Sequence, residues 1–235
     1  MQNASPNIPH ILTLLKHNAW FSSIPAHLAN ALISAGKQRA LPKGQRLHGK
    51  GEEAEGLYCL LKGRIRVSNV NRDGREMVLT WLEPGSWFGE ISMFDSLPRT
   101  HNSFADETCD ILVITQTRFH DLLEQHPALY PYFAQLLCAR IRATFSLIDE
   151  SGGLPLKGRL AKRLLMLSNG FTRQQTPQAI KPIHISQDDL AHMLNTSRQT
   201  INQLLGELEH DNVLSRGYGK ITILAPETLV NFAAM

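Results

Sequence analysis

Cysteine is scarce in this sequence of 235 residues: Cys59, Cys109 and Cys138 are all there is. Widely spaced and with no CxxC pair, they exclude a disulfide framework and a zinc knuckle, and they suit a reducing cytoplasm. Long apolar runs are missing as well. No stretch approaches the roughly 18 apolar residues of a membrane-spanning helix, and the opening MQNASPNIPH lacks the parts of a secretory signal. An excess of one charge is also missing: 24 Lys+Arg stand against 21 Asp+Glu, net +3, so charge alone announces no nucleic-acid partner. No nucleophile elbow, HExxH or Walker P-loop is found, so neither an enzyme nor a metal site is expected. What is present, 43% apolar and 19% charged residues, describes a folded chain long enough for one large domain or two small ones.

The residue pattern changes three times along the chain. Residues 11–36 carry apolar positions at helical spacing. From about Ala40 to Phe119, short β-type runs (LYCLL, RIRVSNV, EMVLTWL, CDILVIT) alternate with glycines, which predicts an antiparallel roll. Asn71-Arg72-Asp73-Gly74 predicts a hairpin turn between two of them. Residues 127–150 then predict one long helix with a narrow stripe of Phe133, Leu137, Ile141, Thr144 and Ile148. Such a stripe suits a two-helix dimer seam; a helix merely capping its own domain is the alternative. Ser151-Gly152-Gly153-Leu154-Pro155 predicts a helix break and a hinge.

Within residues 156–235, ISQDDLAHMLNTSRQTINQLL reads as helix, tight turn, helix. Ser186 and Ser197 are placed to cap the two helices, with Asn195-Thr196 as the turn. Ile201, Leu204, Leu205 and Leu208 face inward, so Arg198, Gln199, Asn202 and Gln203 face outward from the first turns of the second helix. Base reading needs that placement: Arg pairs with guanine, Gln or Asn with adenine. Ser197, Thr200 and the N-terminal N–H groups suit phosphates, and Ser186 and Gln187 at the start of the first helix are also expected among the DNA-binding residues. Arg216-Gly217-Tyr218-Gly219-Lys220 predicts a basic wing, with Lys220 reaching the DNA. An ordinary polar surface helix is the competing reading.

In the β-rich part, Pro84-Gly85-Ser86-Trp87-Phe88-Gly89-Glu90-Ile91-Ser92 ends a strand, turns on glycine and starts a short helix, and Arg99-Thr100 follow closely. Helix N–H groups at Gly89, Glu90 and Ile91, with Arg99 and Thr100, make an anion site, while Glu90 suits a sugar hydroxyl. A plain Glu90–Arg99 salt bridge fastening a loop is the alternative.

Together FGEIS…PRT, the glycine-cut β runs, the long helix and the helix-turn-helix resemble the bacterial cAMP receptor and fumarate–nitrate regulator (Crp/Fnr) superfamily, over nearly the whole chain. The resemblance implies an α+β fold. Residues 1–126 would be a cyclic-nucleotide-binding β-roll (jelly roll) sensor, 127–150 a dimerisation helix, 151–155 a hinge, and 156–235 a winged helix-turn-helix. It implies cAMP or another cyclic nucleotide as effector, held by Gly89, Glu90, Ile91, Arg99 and Thr100, with Thr144 against the base. It implies a cytoplasmic homodimer on a palindromic operator of double-stranded DNA, with RNA polymerase as partner of an activator and no membrane. No cysteine precedes Cys59, which excludes the iron–sulfur branch. Three positions depart from the cAMP-receptor pattern: His101 for a small alanine, Phe145 for a serine, and Gln199 for the recognition-helix glutamate. The alternative is a regulator of the same fold that answers to another metabolite, a redox signal or haem.

Overall fold

The computed structural model describes residues 6–70, 74, 76–169, 182–217 and 219–234. Residues 71–73 of the expected hairpin turn, and Tyr218 of the expected wing, lie outside the described residues. The chain divides into two compact units, and the long helix belongs to the first as far as Arg140.

The first unit opens on α1 (Ile8–Leu15), α2 (Ala19–Ser22) and α3 (Ala26–Ser34). Strands β1 (Lys37–Leu41), β2 (Arg46–His48), β3 (Gly56–Lys62), β4 (Ile65–Val70), β5 (Glu76–Leu82) and β6 (Trp87–Phe88) follow. After α4 (Glu90–Asp95) come β7 (Asn102–Ala105), β8 (Cys109–Thr115) and α5 (Gln116–Gln125). The strands form two four-stranded sheets, ordered β1-β8-β3-β6 and β2-β7-β4-β5. Strand β3 shows why its sequence reads as an unbroken apolar run rather than an alternation. Leu57 and Cys59 pack under the helices, while Tyr58 and Leu60 fill the interior of the roll, so both faces are buried. The helix-side core is aromatic: Trp20, Phe21, Trp87, Phe119 and Phe133 are all buried in it.

Helix α6 spans Tyr130–Gly153, preceded by a 3-10 turn at Pro127–Leu129, so the α-helix starts three residues later than the sequence suggests. Phe133 does not serve an outward stripe. It is fully buried against Trp20, Phe94 and Phe119 in its own unit, a burial worth about 2–3 kcal/mol. Ile141 and Thr144 are exposed, as is Phe145, while the side chain of Ile148 is outside the described residues. The expected break at Ser151 also moves. The helix runs through both glycines to Gly153 and stops at Leu154-Pro155. Glycine costs a helix only about 1 kcal/mol, whereas proline removes a donor and disfavours helical backbone before it.

The second unit continues with α7 (Leu156–Asn169), β9 (Ile183–His184), α8 (Gln187–Leu194), α9 (Arg198–His210), β10 (Leu214–Gly217), β11 (Lys220–Ile223) and α10 (Pro226–Ala234). Its strands form a sheet ordered β10-β11-β9. Helix α10 has no counterpart in the sequence reading. It packs on α7 at Gly158, where a Cβ would stand 2.7 Å from the carbonyl oxygen of Phe232. Among the described residues no helix is long and apolar enough to cross a membrane, and no cluster of three His, Cys, Asp or Glu is placed to hold a metal ion.

Candidate functional site

In the roll, Gly89 caps the short helix α4 with φ +90°, a left-handed backbone that favours glycine. A Cβ there would also stand 2.6 Å from Nη1 of Arg99. Arg99, 3% exposed, donates from Nη1 to the carbonyl oxygen of Gly89 at 3.0 Å and from Nη2 to that of Gly56. Its guanidinium lies 5.1 Å from the centre of the Tyr58 ring. The backbone of Arg99 is fixed as well, donating to the Glu52 carbonyl and accepting from the Gly51 amide, both at 2.8 Å. The buried cation thus rests on two carbonyl oxygens and a ring face, none of which carries a charge. Its Nε is buried and makes no hydrogen bond to a described residue.

Glu90, equally buried, does not pair with Arg99. Its Oε1 accepts from Nε of Arg140 at 3.1 Å, and Arg140 also donates from Nη2 to the Trp87 carbonyl at 2.8 Å. The Glu90–Arg99 salt bridge weighed from the sequence is therefore replaced by one to the long helix. Arg140 was missed because its partner is remote in sequence. The signal available was a cation one turn before Thr144 on the same helical face. Ile91 is 40% exposed at the start of α4. Thr100 is exposed, and its Oγ1 is engaged by Nδ1 of His101 at 2.8 Å. Thr144 is exposed on α6, within the second unit.

His48 completes the wall. Its ring stacks on Tyr58 with centroids 6.0 Å apart, and its Nδ1 donates to the His101 carbonyl at 3.1 Å. Burial, reinforced by the charge of Arg99, pulls its pKa down to about 4, so the ring is neutral at physiological pH. Burial likewise pushes the Tyr58 phenol up to about 12. That hydroxyl donates to Oε2 of Glu55 at 3.0 Å.

In the second unit the helix-turn-helix forms as its capping residues dictate. The Ser186 Oγ accepts from the Asp189 amide at 3.0 Å, and the Ser197 Oγ accepts from the Thr200 amide at 3.1 Å. Asn195 ends α8 with φ +51°, a left-handed position that Asn tolerates. Ile201, Leu205 and Leu208 are buried and Leu204 is half-buried. Arg198, Gln199, Asn202 and Gln203 are exposed on one helix, Thr200 and Gln187 are half-buried, and Lys220 is exposed at the start of β11. Arg198 lies 3.3 Å from Asp188, both more than half exposed. Such a pair is worth about 0–1 kcal/mol and yields readily to a phosphate or a base. Arg216 does not extend freely as part of a basic wing. It binds Glu209 through its backbone amide and Nε, at 2.7 and 2.6 Å, and holds that carboxyl below its ordinary pKa.

Residues 38–126 match the cyclic nucleotide-binding domain family and residues 158–232 the Crp-like helix-turn-helix domain family. The cAMP-activated global transcriptional regulator CRP of Pasteurella multocida is 30% identical over 175 residues, covering 74% of this chain and 83% of that protein. The chain belongs to the Crp/Fnr family. It is a transcription regulator with a cyclic-nucleotide-binding domain and a helix-turn-helix DNA-binding domain, not an enzyme. Among solved Crp/Fnr structures, the catabolite activator protein of Thermus thermophilus is 25% identical, with a TM-score of 0.52, covering 92% of this chain and 98% of that one. FixK2 of Bradyrhizobium japonicum, at 17% identity, matches the fold with a TM-score of 0.72 over 85% of this chain and 98% of its own. The family places the buried Arg99 and Glu90 in its ligand-binding domain and the exposed face of α9 in its DNA-binding domain.

Proposed function

We propose that this regulator is a cytoplasmic homodimer whose roll binds a cyclic nucleotide, cAMP first, and thereby controls binding to a palindromic operator. The observation that carries the ligand reading is the buried guanidinium of Arg99, which rests on uncharged partners and so keeps its charge for an anion. The phosphate would take Arg99, the amides at Gly89, Glu90 and Ile91, and Thr100. A ribose hydroxyl would share Glu90 with Arg140, and Thr144 would meet the base. Dimerisation would run through residues 127–150, where Ile141 and Phe145 are 53% and 61% exposed one turn apart. A dimer would set its two recognition helices roughly 34–36 Å apart, and in an activator the bound dimer would contact RNA polymerase. Ser186, Gln187, Ser197, Thr200 and Lys220 would hold phosphates while Arg198, Gln199, Asn202 and Gln203 read bases. The curated relative named above, itself cAMP-activated, supports the choice of cAMP.

One observation favours a second reading, a regulator of the same fold with a different effector. The Thr100 hydroxyl is already engaged by His101, a bulkier side chain than the family pattern has there. Isothermal titration with cAMP and cGMP, paired with gel shifts on an enriched operator, decides between them. Heat with cAMP and ligand-dependent DNA binding support the first; DNA binding without heat from either nucleotide supports the second.

A further inference from the structure

The DNA-reading face contains a bonded network that changes what one of its residues can read. Nη1 of Arg216 donates to Oδ1 of Asn202 at 2.9 Å, and Nε2 of Gln187 donates to the same oxygen at 3.3 Å. Arg216 is itself fixed by Glu209, on the same helix as Asn202 and two turns further on. Three elements, α8, α9 and β10, therefore converge on one side-chain oxygen. A guanidinium has only donors, so the amide atom facing it must be the oxygen. An amide oxygen has two lone pairs, and here both are taken.

The two-bond recognition of adenine by asparagine needs that oxygen to accept from the adenine amino group while the amide nitrogen donates to N7. With Oδ1 occupied, Asn202 has only its NH2 group to present. On guanine that donor meets two adjacent acceptors, N7 and O6, whereas on adenine the N6 amino group beside N7 is itself a donor and opposes it. We propose that Arg216, as a positioning residue anchored by Glu209, fixes Asn202 as a donor, so that the half-site position Asn202 reads is G·C rather than A·T. This rests on the DNA-reading function proposed above, and it replaces the adenine contact the sequence suggests for Asn202.

The test is selection of sites from a random palindromic library by the full-length protein, with and without cAMP, for the wild type, Asn202→Ala and Arg216→Met. Asn202→Ala marks the base pair concerned as the one whose preference it erases. At that pair the wild type should favour G·C by roughly fivefold or more, the low end of what a good base contact gives. Arg216→Met frees one lone pair of the oxygen, enough to accept from an adenine amino group, and should shift that pair toward A·T while leaving the other positions unchanged. A wild-type preference for A·T at that pair overturns the assignment, and this arm holds whether or not the Met variant folds. So does an Arg216→Met protein weakened equally on all sites with a salt slope lower by about one, the mark of a simple phosphate contact. A wild type that enriches no site overturns the DNA-reading function itself, a result distinct from an enriched site with the wrong pair.

Discussion

The carboxylate of Glu90 faces Arg140, 50 residues away in sequence, and not Arg99, its near neighbour. At 3% and 16% exposure for the two side chains, this is a largely buried ion pair within the first unit. It leaves Glu90 and Arg99 with separate duties: Glu90 is tied to the long helix and Arg99 is held by backbone carbonyls and the Tyr58 ring.

Removing one partner of such a pair leaves the other charge buried, which costs about 3–5 kcal/mol in comparable cases. Arg140→Leu is therefore expected to lower the stability of the roll by several kcal/mol in urea unfolding. Adding Glu90→Gln to it should cost little more. A double-mutant cycle that returned simple additivity would show that the pair contributes nothing.

Gly89→Ala tests the cradle from the other side. The substitution forces a left-handed backbone on alanine and drives its Cβ into the Arg99 guanidinium, which the Gly56 carbonyl and the Tyr58 ring prevent from retreating. A loss of about 1–3 kcal/mol is expected. On the proposed ligand reading, titration with cAMP should also weaken, because a displaced Arg99 would no longer meet the phosphate.

His48 gives a pH dependence with a definite sign. Its pKa is near 6.5 when unfolded and about 4 in the native roll, so the unfolded state binds more protons between those values. The native state should therefore lose stability as the pH falls from about 6.5 toward about 4, by an amount on the order of 1–2 kcal/mol after allowance for its partial exposure. Above pH 7 His48 should contribute no slope. In His48→Phe, the component between pH 4 and 6.5 should disappear from urea unfolding measured across that range.

Features written by neighbouring residues were legible in the sequence. The serine caps at Ser186 and Ser197, the inward face of α9 and the glycine turn before Glu90 each depend on a few consecutive side chains, and each stands as read. Features that depend on distant partners were not. Nothing local ties Arg140 to Glu90 or Arg216 to Asn202, and α10 owes its place to the room left by Gly158. The stripe of α6 failed at Phe133 for the same reason. A phenylalanine facing its own aromatic core and one facing a second chain leave the same periodic mark, and only the packing of Trp20, Phe94 and Phe119 tells them apart.

That distinction confines the proposed seam to the stretch of α6 beyond its own core. Ile141 and Phe145 are more than half exposed, at a spacing that sets them on one face of the helix, whereas Phe133 and Leu136 are already buried. Exposed apolar side chains at successive turns gain about 1.5–3 kcal/mol each when a partner covers them, whereas a charge in the same place must be desolvated. Ile141→Glu with Phe145→Glu should shift the protein from dimer to monomer in sedimentation equilibrium while leaving the roll folded. The same double variant should lose binding to a two-half-site operator far more than to an isolated half-site, since only the former needs two recognition helices on one assembly. If sedimentation finds the wild type itself monomeric at micromolar concentration, these side chains cover no second copy, and the operator should then be read as single half-sites.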